Sequence, residues 1–353
     1  MIEIQGDTLE GGGQIIRTSI SLAALTGEDV HITKIRYKRP NPGLQAQHVT
    51  AAKAIATLCN AETEGLTQGS TELVFKPNGR KSGKFKFEVG TAGSIPLVLQ
   101  ALMPCIAFAS SQLEMEITGG TDVKWSPPID YIRLITLPAL RLMGYELNLT
   151  VNRRGHYPKG GGSVGLTTTP PRKLQNINLT KRDRLTSIQG VSHSVKLPSH
   201  VAQRQADSAR RTLTRAGYSE LKVDVESYPN DQDPHVGAGS GITLVGSHTN
   251  PSIIGADSLG ERGKPAERVG EEAARQLIED LNTQASLDRH MSDMIIPYMA
   301  VADGHSEISV AQITMHTLTN IQVAEKILKV KFRVDGNMGR EGRISVDGLN
   351  LNA

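Results

Sequence analysis

The order of strand-like and helix-like runs is what most restricts the fold of this chain. Ile2 to Gln5 has strand character. A helix follows from the glycines after Glu10 to about Thr26, where Gly27 stops it. Next come a strand at His31 to Ile35, a helix at about Leu44 to Cys59, and strands at Leu73 to Phe75 and Phe85 to Val89. The same order recurs. Phe85 to Val89 leads into a predicted helix over Ser94 to Ala109, a strand at Leu113 to Ile117, a helix at about Asp130 to Met143, and two strands at Tyr145 to Val151 and Val164 to Thr169. A third passage runs through helix Met291 to Val301, strand Ile308 to Ile313, helix His316 to Ile327, and strands Val330 to Val334 and Arg343 to Val346. Between about Thr180 and Asn282 the pattern changes to a compact unit with its own strands, helices and turn signals, among them Tyr228-Pro229-Asn230-Asp231. The expected fold class is α+β. A repeated main domain is predicted over 1–183 and 282–353, with a smaller domain inserted at 184–281.

The two strands at Tyr145 to Val151 and Val164 to Thr169 enclose Arg153-Arg154-Gly155-His156-Tyr157-Pro158-Lys159-Gly160-Gly161-Gly162. Three successive glycines allow positive φ and close approach of another group. Basic residues gather here and again at Lys34, Arg36, Lys38 and Arg39. The net charge is only +3, so an anionic partner is permitted by local clustering rather than by overall charge. With 38% hydrophobic and 21% charged residues, the composition is that of a soluble globular protein. No apolar run approaches the roughly 20 residues that span a bilayer, so no membrane role is expected. The chain lacks a signal-peptide layout, and Cys59 and Cys105 sit in apolar helical patterns as small hydrophobes. A cytoplasmic protein is expected.

Several chemistries are set aside because their motifs are missing: Walker A, His-Glu-x-x-His, Cys-x-x-Cys and Gly-x-Ser-x-Gly. What remains is a scattered constellation. Glu10 lies in a glycine-rich helix start with Arg17 two turns on. Arg36 and Arg39 occupy a basic loop, with Gln47 and His48 opening the next helix. His290-Met291-Ser292-Asp293-Met294 and His316 open two helices of the third passage.

Glu10-Gly-Gly-Gly-Gln14-Ile-Ile-Arg17, Pro42-Gly43-Leu44 with Gln47-His48, and Gly119-Gly120-Thr121-Asp122 with Pro127-Pro128 resemble the RNA 3′-terminal phosphate cyclase family. So do the Arg153 to Gly162 stretch, the His290 to Met294 segment and His316-Thr317-Leu318-Thr319-Asn320, in the family's order and spacing. The resemblance implies three repeats of a two-helix, four-stranded-sheet (βαβαββ) unit and a thioredoxin-like inserted domain. It implies ATP-dependent conversion of an RNA 3′-phosphate to a 2′,3′-cyclic phosphate through a covalent histidine-AMP intermediate. By this match His316 is the nucleophile, and Glu10 contacts a divalent ion, Mg²⁺ or Mn²⁺. Gln100, His290, Met291, Ser292, Asp293, Met294 and Pro127 fall at ATP-contacting positions. Arg17, Arg36, Arg39 and Gln47 are the candidates for the triphosphate or the RNA phosphate. The predicted helix start at His316 is expected to disfavour the imidazolium and keep the ring nucleophilic. The family usually has Gln where this chain has Met294, which removes a donor toward the nucleotide. The alternative is a non-catalytic cyclase-like protein of ribosomal RNA processing, and a more distant rival is an enolpyruvyl transferase. Retention of His316, Glu10, Gln100 and Asp293 favours the enzyme.

Overall fold

A computed structural model of the chain describes residues 1–90, 92–229 and 231–351. The turn signal at Asn230 lies outside the described residues. The chain begins with β1 (Ile2–Gln5), α1 (Gly13–Thr26), β2 (Val30–Thr33), α2 (Ala46–Cys59), β3 (Glu62–Glu64) and β4 (Leu73–Lys76). It continues with β5 (Gly83–Glu88), α3 (Ile95–Ile106), β6 (Leu113–Gly119), α4 (Ile129–Tyr131), a π turn (Ile132–Thr136), α5 (Leu137–Leu142), β7 (Leu147–Arg153) and β8 (Gly162–Thr168). After the short β9 (Asn178–Leu179) come β10 (Leu185–Val195), α6 (His200–Arg215), β11 (Leu221–Ser227), β12 (Gly239–His248), β13 (Ile253–Leu259) and α7 (Ala266–Leu281). The chain closes with α8 (Met291–Met294), α9 (Ile296–Val301), β14 (His305–Val310), α10 (Met315–Leu328), β15 (Phe332–Gly336) and β16 (Gly342–Asp347).

These strands make four mixed, four-stranded sheets, ordered β1-β2-β4-β3, β5-β6-β8-β7, β9-β14-β16-β15 and β11-β10-β12-β13. In each of the first three, the first two strands run parallel and the others pair antiparallel. A mixed α+β architecture follows. The helices bury their apolar faces between the sheets, with α1 packed against α2, α3 and α10. That arrangement removes Ile16, Ile20, Leu22, Val98, Leu99 and Leu102 from water in one continuous core. A separate cluster, including Ile188, Leu213, Val223, Leu244 and Leu277, fills the space between the β10–β13 sheet and helices α6 and α7. The thiols of Cys59 and Cys105 are free and buried, and burial pushes them to about 11 and about 12. No helix among the described residues is long and apolar enough to cross a membrane.

The structure departs from the sequence reading where a strand carries no apolar alternation. β3 is Glu-Thr-Glu with both glutamates exposed, and it supplies the first sheet's edge; Phe85 to Val89 therefore opens the second sheet and does not close the first. β9 is two residues long and β13 is interrupted by Gly255 and Asp257, so neither announces itself. The helix expected over Asp130 to Met143 is broken by the π turn ahead of Pro138, and Met291 to Val301 is two short helices joined at Ile295 ahead of Pro297.

Candidate active site

Helices α1 and α10 lie side by side, and their N-terminal ends bring Glu10, Gln14 and His316 together. The turn before α1 is built by Gly11 at φ +60° and by Gly12 and Gly13, which have no Cβ atoms. A Cβ on Gly13 would fall 2.0 Å from His48 Nε2, so this helix start and the start of α2 approach as closely as they do only because residue 13 is glycine. Thr314 caps α10 by accepting from the Thr317 backbone N–H at 3.1 Å, which sets His316 in the first turn, half-exposed.

Gln14 decides the state of the His316 ring. Its Nε2 donates to Asp293 Oδ2 and to the His316 carbonyl, each at 3.3 Å. The amide orientation is thereby fixed, and Oε1, which can only accept, meets His316 Nδ1. Nδ1 therefore carries a proton, and in the neutral ring the lone pair is on Nε2. Glu10 Oε2 lies 3.0 Å from the same Nδ1, with no hydrogen-bond donor aligned on that oxygen. Arg39 takes the other oxygen of Glu10 and also reaches the Glu10 carbonyl at 3.2 Å.

The carboxylates outweigh the helix start. The close approach of the Glu10 carboxylate to Nδ1, with the Asp293 charge behind it, raises the His316 pKa above its ordinary value although burial opposes this. The expectation that position alone keeps the imidazole neutral is corrected accordingly, since a charge at contact distance exceeds the effect of one helix terminus. Burial lowers Arg17 to about 10 against the opposing pull of Asp293 and Glu10, and burial raises Asp293 against His316, His290 and Arg17. Asn320 ties the rear of the site together, accepting from Thr18 at 2.6 Å and donating to the Asp293 carbonyl at 2.8 Å.

Glu10, Arg17, Arg39, Asp293 and His316 thus meet in one place. Arg36 spends its guanidinium inside its own loop, donating to the carbonyls of Asn41 at 2.6 Å and Gly43 at 3.2 Å, and so shapes the loop that carries Arg39. Gln47 is partly buried in the first turn of α2 and Gln100 partly buried at the middle of α3; neither side chain makes a hydrogen bond among the described residues. Pro127 precedes α4, where its carbonyl accepts from Ser126. Along the third segment, His290 is exposed and edge-on to Tyr131. The Met291 side chain is fully buried, and Ser292 is buried against Thr317 Oγ1 at 2.7 Å, so these two support the segment from beneath. Met294 sulfur meets the Thr136 hydroxyl of the π turn. Two positioning residues escaped the sequence reading. Gln14 was legible only as part of a motif. Asp288 accepts the backbone N–H groups of His290 and Met291 at 2.8 and 2.9 Å and the Tyr131 hydroxyl at 2.6 Å, and nothing in its surroundings in sequence marks it.

His48 provides a pH readout of this packing. Burial, assisted by Arg17 and Arg36, lowers its pKa to about 3, and its Nδ1 accepts from the Gln45 backbone N–H at 3.0 Å. The unfolded chain binds a proton near pH 6.5 and the folded chain does not. The stability associated with His48 is therefore complete above 6.5 and is lost as the pH falls toward 3. Urea unfolding of wild type between pH 7 and pH 5 should lose about 2 kcal/mol more than that of His48→Asn; equal losses in both proteins would refute this.

A model of the RNA 3′-terminal phosphate cyclase family matches residues 8–334. Among curated relatives, the RNA 3′-terminal phosphate cyclase of Hyperthermus butylicus is 50% identical, covering 99% of this chain and 98% of its own length. That of Ignicoccus hospitalis is 49% identical over 99% of both chains, and that of Methanopyrus kandleri 47% identical over 98% of both. A solved enolpyruvyl transferase, NikO from Streptomyces tendae, aligns at 10% identity and a TM-score of 0.28 over 99% of this chain and 66% of that one, a likeness too weak to bear on fold or activity. With the match running from the turn before Glu10 to the strand after α10, and with such identity sustained end to end, the chain belongs to the RNA 3′-terminal phosphate cyclase family, on its enzyme branch.

Proposed function

We propose that this protein converts an RNA 3′-terminal phosphate to a 2′,3′-cyclic phosphodiester at the expense of ATP, with His316 as the nucleophile. The observation that carries the reading is the fixed Gln14 amide, which keeps a proton on His316 Nδ1 so that in the neutral ring the lone pair on Nε2 is the one free to react. Nε2 attacks the α-phosphorus of ATP, a P–N bond forms, the bond to the β-phosphate oxygen breaks, and pyrophosphate leaves. Glu10 faces the positive charge that the ring then acquires. An oxygen of the RNA 3′-phosphate next displaces His316 from phosphorus, giving an RNA-adenylate. The vicinal 2′-hydroxyl closes the ring on the 3′-phosphorus, gives up its proton and expels AMP. Activation is required because direct closure on a phosphomonoester would have to expel an oxide, whereas the adenylate offers AMP as leaving group.

Arg17, Arg39 and Gln47 are assigned to the phosphates, which planar guanidinium groups grip in pairs. Gln100, Pro127, His290, Asp293 and Met294 are assigned to the nucleotide. Glu10 would hold Mg²⁺ or Mn²⁺ through Oε2, a hard oxygen on which no donor is aligned. Such an ion, when bound, supplies neutralisation of triphosphate charge. We further infer that the three like-ordered sheets are copies of one βαβαββ unit spanning 1–183 and 282–353. The span 184–281, with its own core cluster, would be a thioredoxin-like domain inserted after the first strand of the third copy.

Incubation with α-³²P ATP and a divalent ion should give acid-labile, alkali-stable label on the tryptic peptide containing His316, reversed by added pyrophosphate. RNA ending in a 3′-phosphate should discharge it and become phosphatase-resistant. Wild-type protein that neither labels nor exchanges pyrophosphate into ATP, while still binding RNA, would sink the proposal in favour of a non-catalytic role.

A further inference from the structure

The hairpin between β7 and β8, the loop after β6 and the strand β10 meet in a buried place built from residues other than the Glu10, Gln14 and His316 group. There Asp122, His156 and His193, exposed by only 2%, 5% and 2%, offer ligand atoms that all lie within 4.8 Å of one another. Four polar atoms in this group have no hydrogen-bond partner: Asp122 Oδ1, His156 Nε2, and both ring nitrogens of His193. Buried polar groups are ordinarily paired, and a cluster of orphans from three separated segments is an arrangement that a bound ion explains. We propose that Asp122, His156 and His193 form a binding site for a zinc-like divalent transition ion that clamps residues of the inserted span to the second sheet.

Three features of the surroundings fit this ion. First, two imidazoles and one carboxylate form a borderline donor set that suits Zn²⁺ and its neighbours, while Mg²⁺ and Ca²⁺ prefer all-oxygen cages. Second, the local charge has room for a cation. The carboxylates of Asp122, Asp130 and Glu226 surround the single buried guanidinium of Arg154, and Arg133 reaches Asp130 from the surface at 2.7 Å, leaving one negative charge uncompensated. Third, the ligands are supported from behind. Asp122 Oδ2 accepts from the Thr121 hydroxyl at 2.5 Å, lies 3.5 Å from Arg154 Nη1 and stands 4.0 Å from His193 Nε2, so the carboxylate is held in place beside the ring.

Glycines admit both rings. A Cβ on Gly239 would sit 2.0 Å from His156 Cγ, and one on Gly241 would sit 3.0 Å from His193 Cε1. The rings stand 5.2 Å apart between centroids, tilted at 35°. A tetrahedral ion with ligand distances of about 2.0–2.1 Å separates its donors by about 3.3 Å, so binding would draw the triad inward.

The test uses the full chain, stripped with a chelator and dialysed against buffered micromolar Zn²⁺, with bound metal measured by atomic emission. Wild type and Glu10→Gln should each retain one zinc per chain, and His193→Gln should retain none. Co²⁺ in place of Zn²⁺ should give the intense visible bands of a tetrahedral site. The thermal midpoint should rise by roughly 3–5 °C at an ion concentration about 100-fold above Kd. Asp122→Asn, close to isosteric, repeats the test if His193→Gln does not fold. Wild type that holds no zinc and melts alike with metal and with chelator would overturn the proposal, leaving a water-filled polar space. Retention of one zinc by both His193→Gln and Asp122→Asn would overturn it as well.

Discussion

His316→Ala should accumulate no protein-bound AMP, and its ATP–pyrophosphate exchange and RNA end cyclisation should each fall by roughly 10⁴-fold or more. The size of the effect follows from the role. A covalent nucleophile cannot be replaced by a neighbour that is merely polar, and Gln14, Glu10 and Asp293 hold the ring without being able to substitute for its Nε2. Folding should be little affected, because the side chain is half-exposed and water can satisfy Gln14 and Glu10 once the imidazole is gone. The measurements are gel autoradiography with labelled ATP, a pyrophosphate exchange assay and a thermal melt. Residual labelling of the alanine variant at more than a hundredth of wild type would place the nucleophile on another residue.

Arg154→Met should be the most damaging single change to stability, at about 3–5 kcal/mol in urea unfolding. The side chain is 2% exposed, and its Nη2 is 2.7 Å from Asp130 and 2.6 Å from Glu226, while Nε donates to Glu226 at 2.9 Å. Burial alone would lower its pKa, but the Glu226 hydrogen bonds and the Asp130 and Asp122 charges raise it above the ordinary value, so the guanidinium stays charged. Methionine fills the volume and leaves the carboxylates facing one another. Arg154→Lys should recover only part of the loss, since an ammonium cannot donate in parallel to both oxygens of Glu226. A cost below 1 kcal/mol for Arg154→Met would show that the carboxylates find water or one another by relaxation.

The helices were readable because their apolar positions recur at helical spacing and their stops are marked. Gly27 is the left-handed C-cap of α1, with its N–H returning to the Ala23 carbonyl at 2.8 Å. Strands were readable where apolar residues alternate, as in β4, β5 and β6, and unreadable where they do not, as in β3 and β13. The candidate site was legible in Glu10 and His316 because each stands in a motif of the family pattern, and in Arg39 as a member of a basic cluster. The use of a side chain was not. Arg36 and Arg39 stand three residues apart in one basic loop, yet one binds its own loop's carbonyls and the other binds Glu10 across 29 positions. Only the folded path of the loop separates those roles. His156 illustrates the same limit: the sequence marks its hairpin, while its neighbours Asp122 and His193 are brought to it by other elements.

Asp288 carries a last consequence. One carboxylate receives the His290 and Met291 amides and the Tyr131 hydroxyl on Oδ1, and on Oδ2 the Gly255 amide from β13 at 2.9 Å. The segment assigned to the nucleotide and a strand of the 184–281 span are therefore fastened to opposite oxygens of the same side chain. Removing that span would leave Asp288 Oδ2 without its Gly255 partner, directly beneath the turn that carries His290.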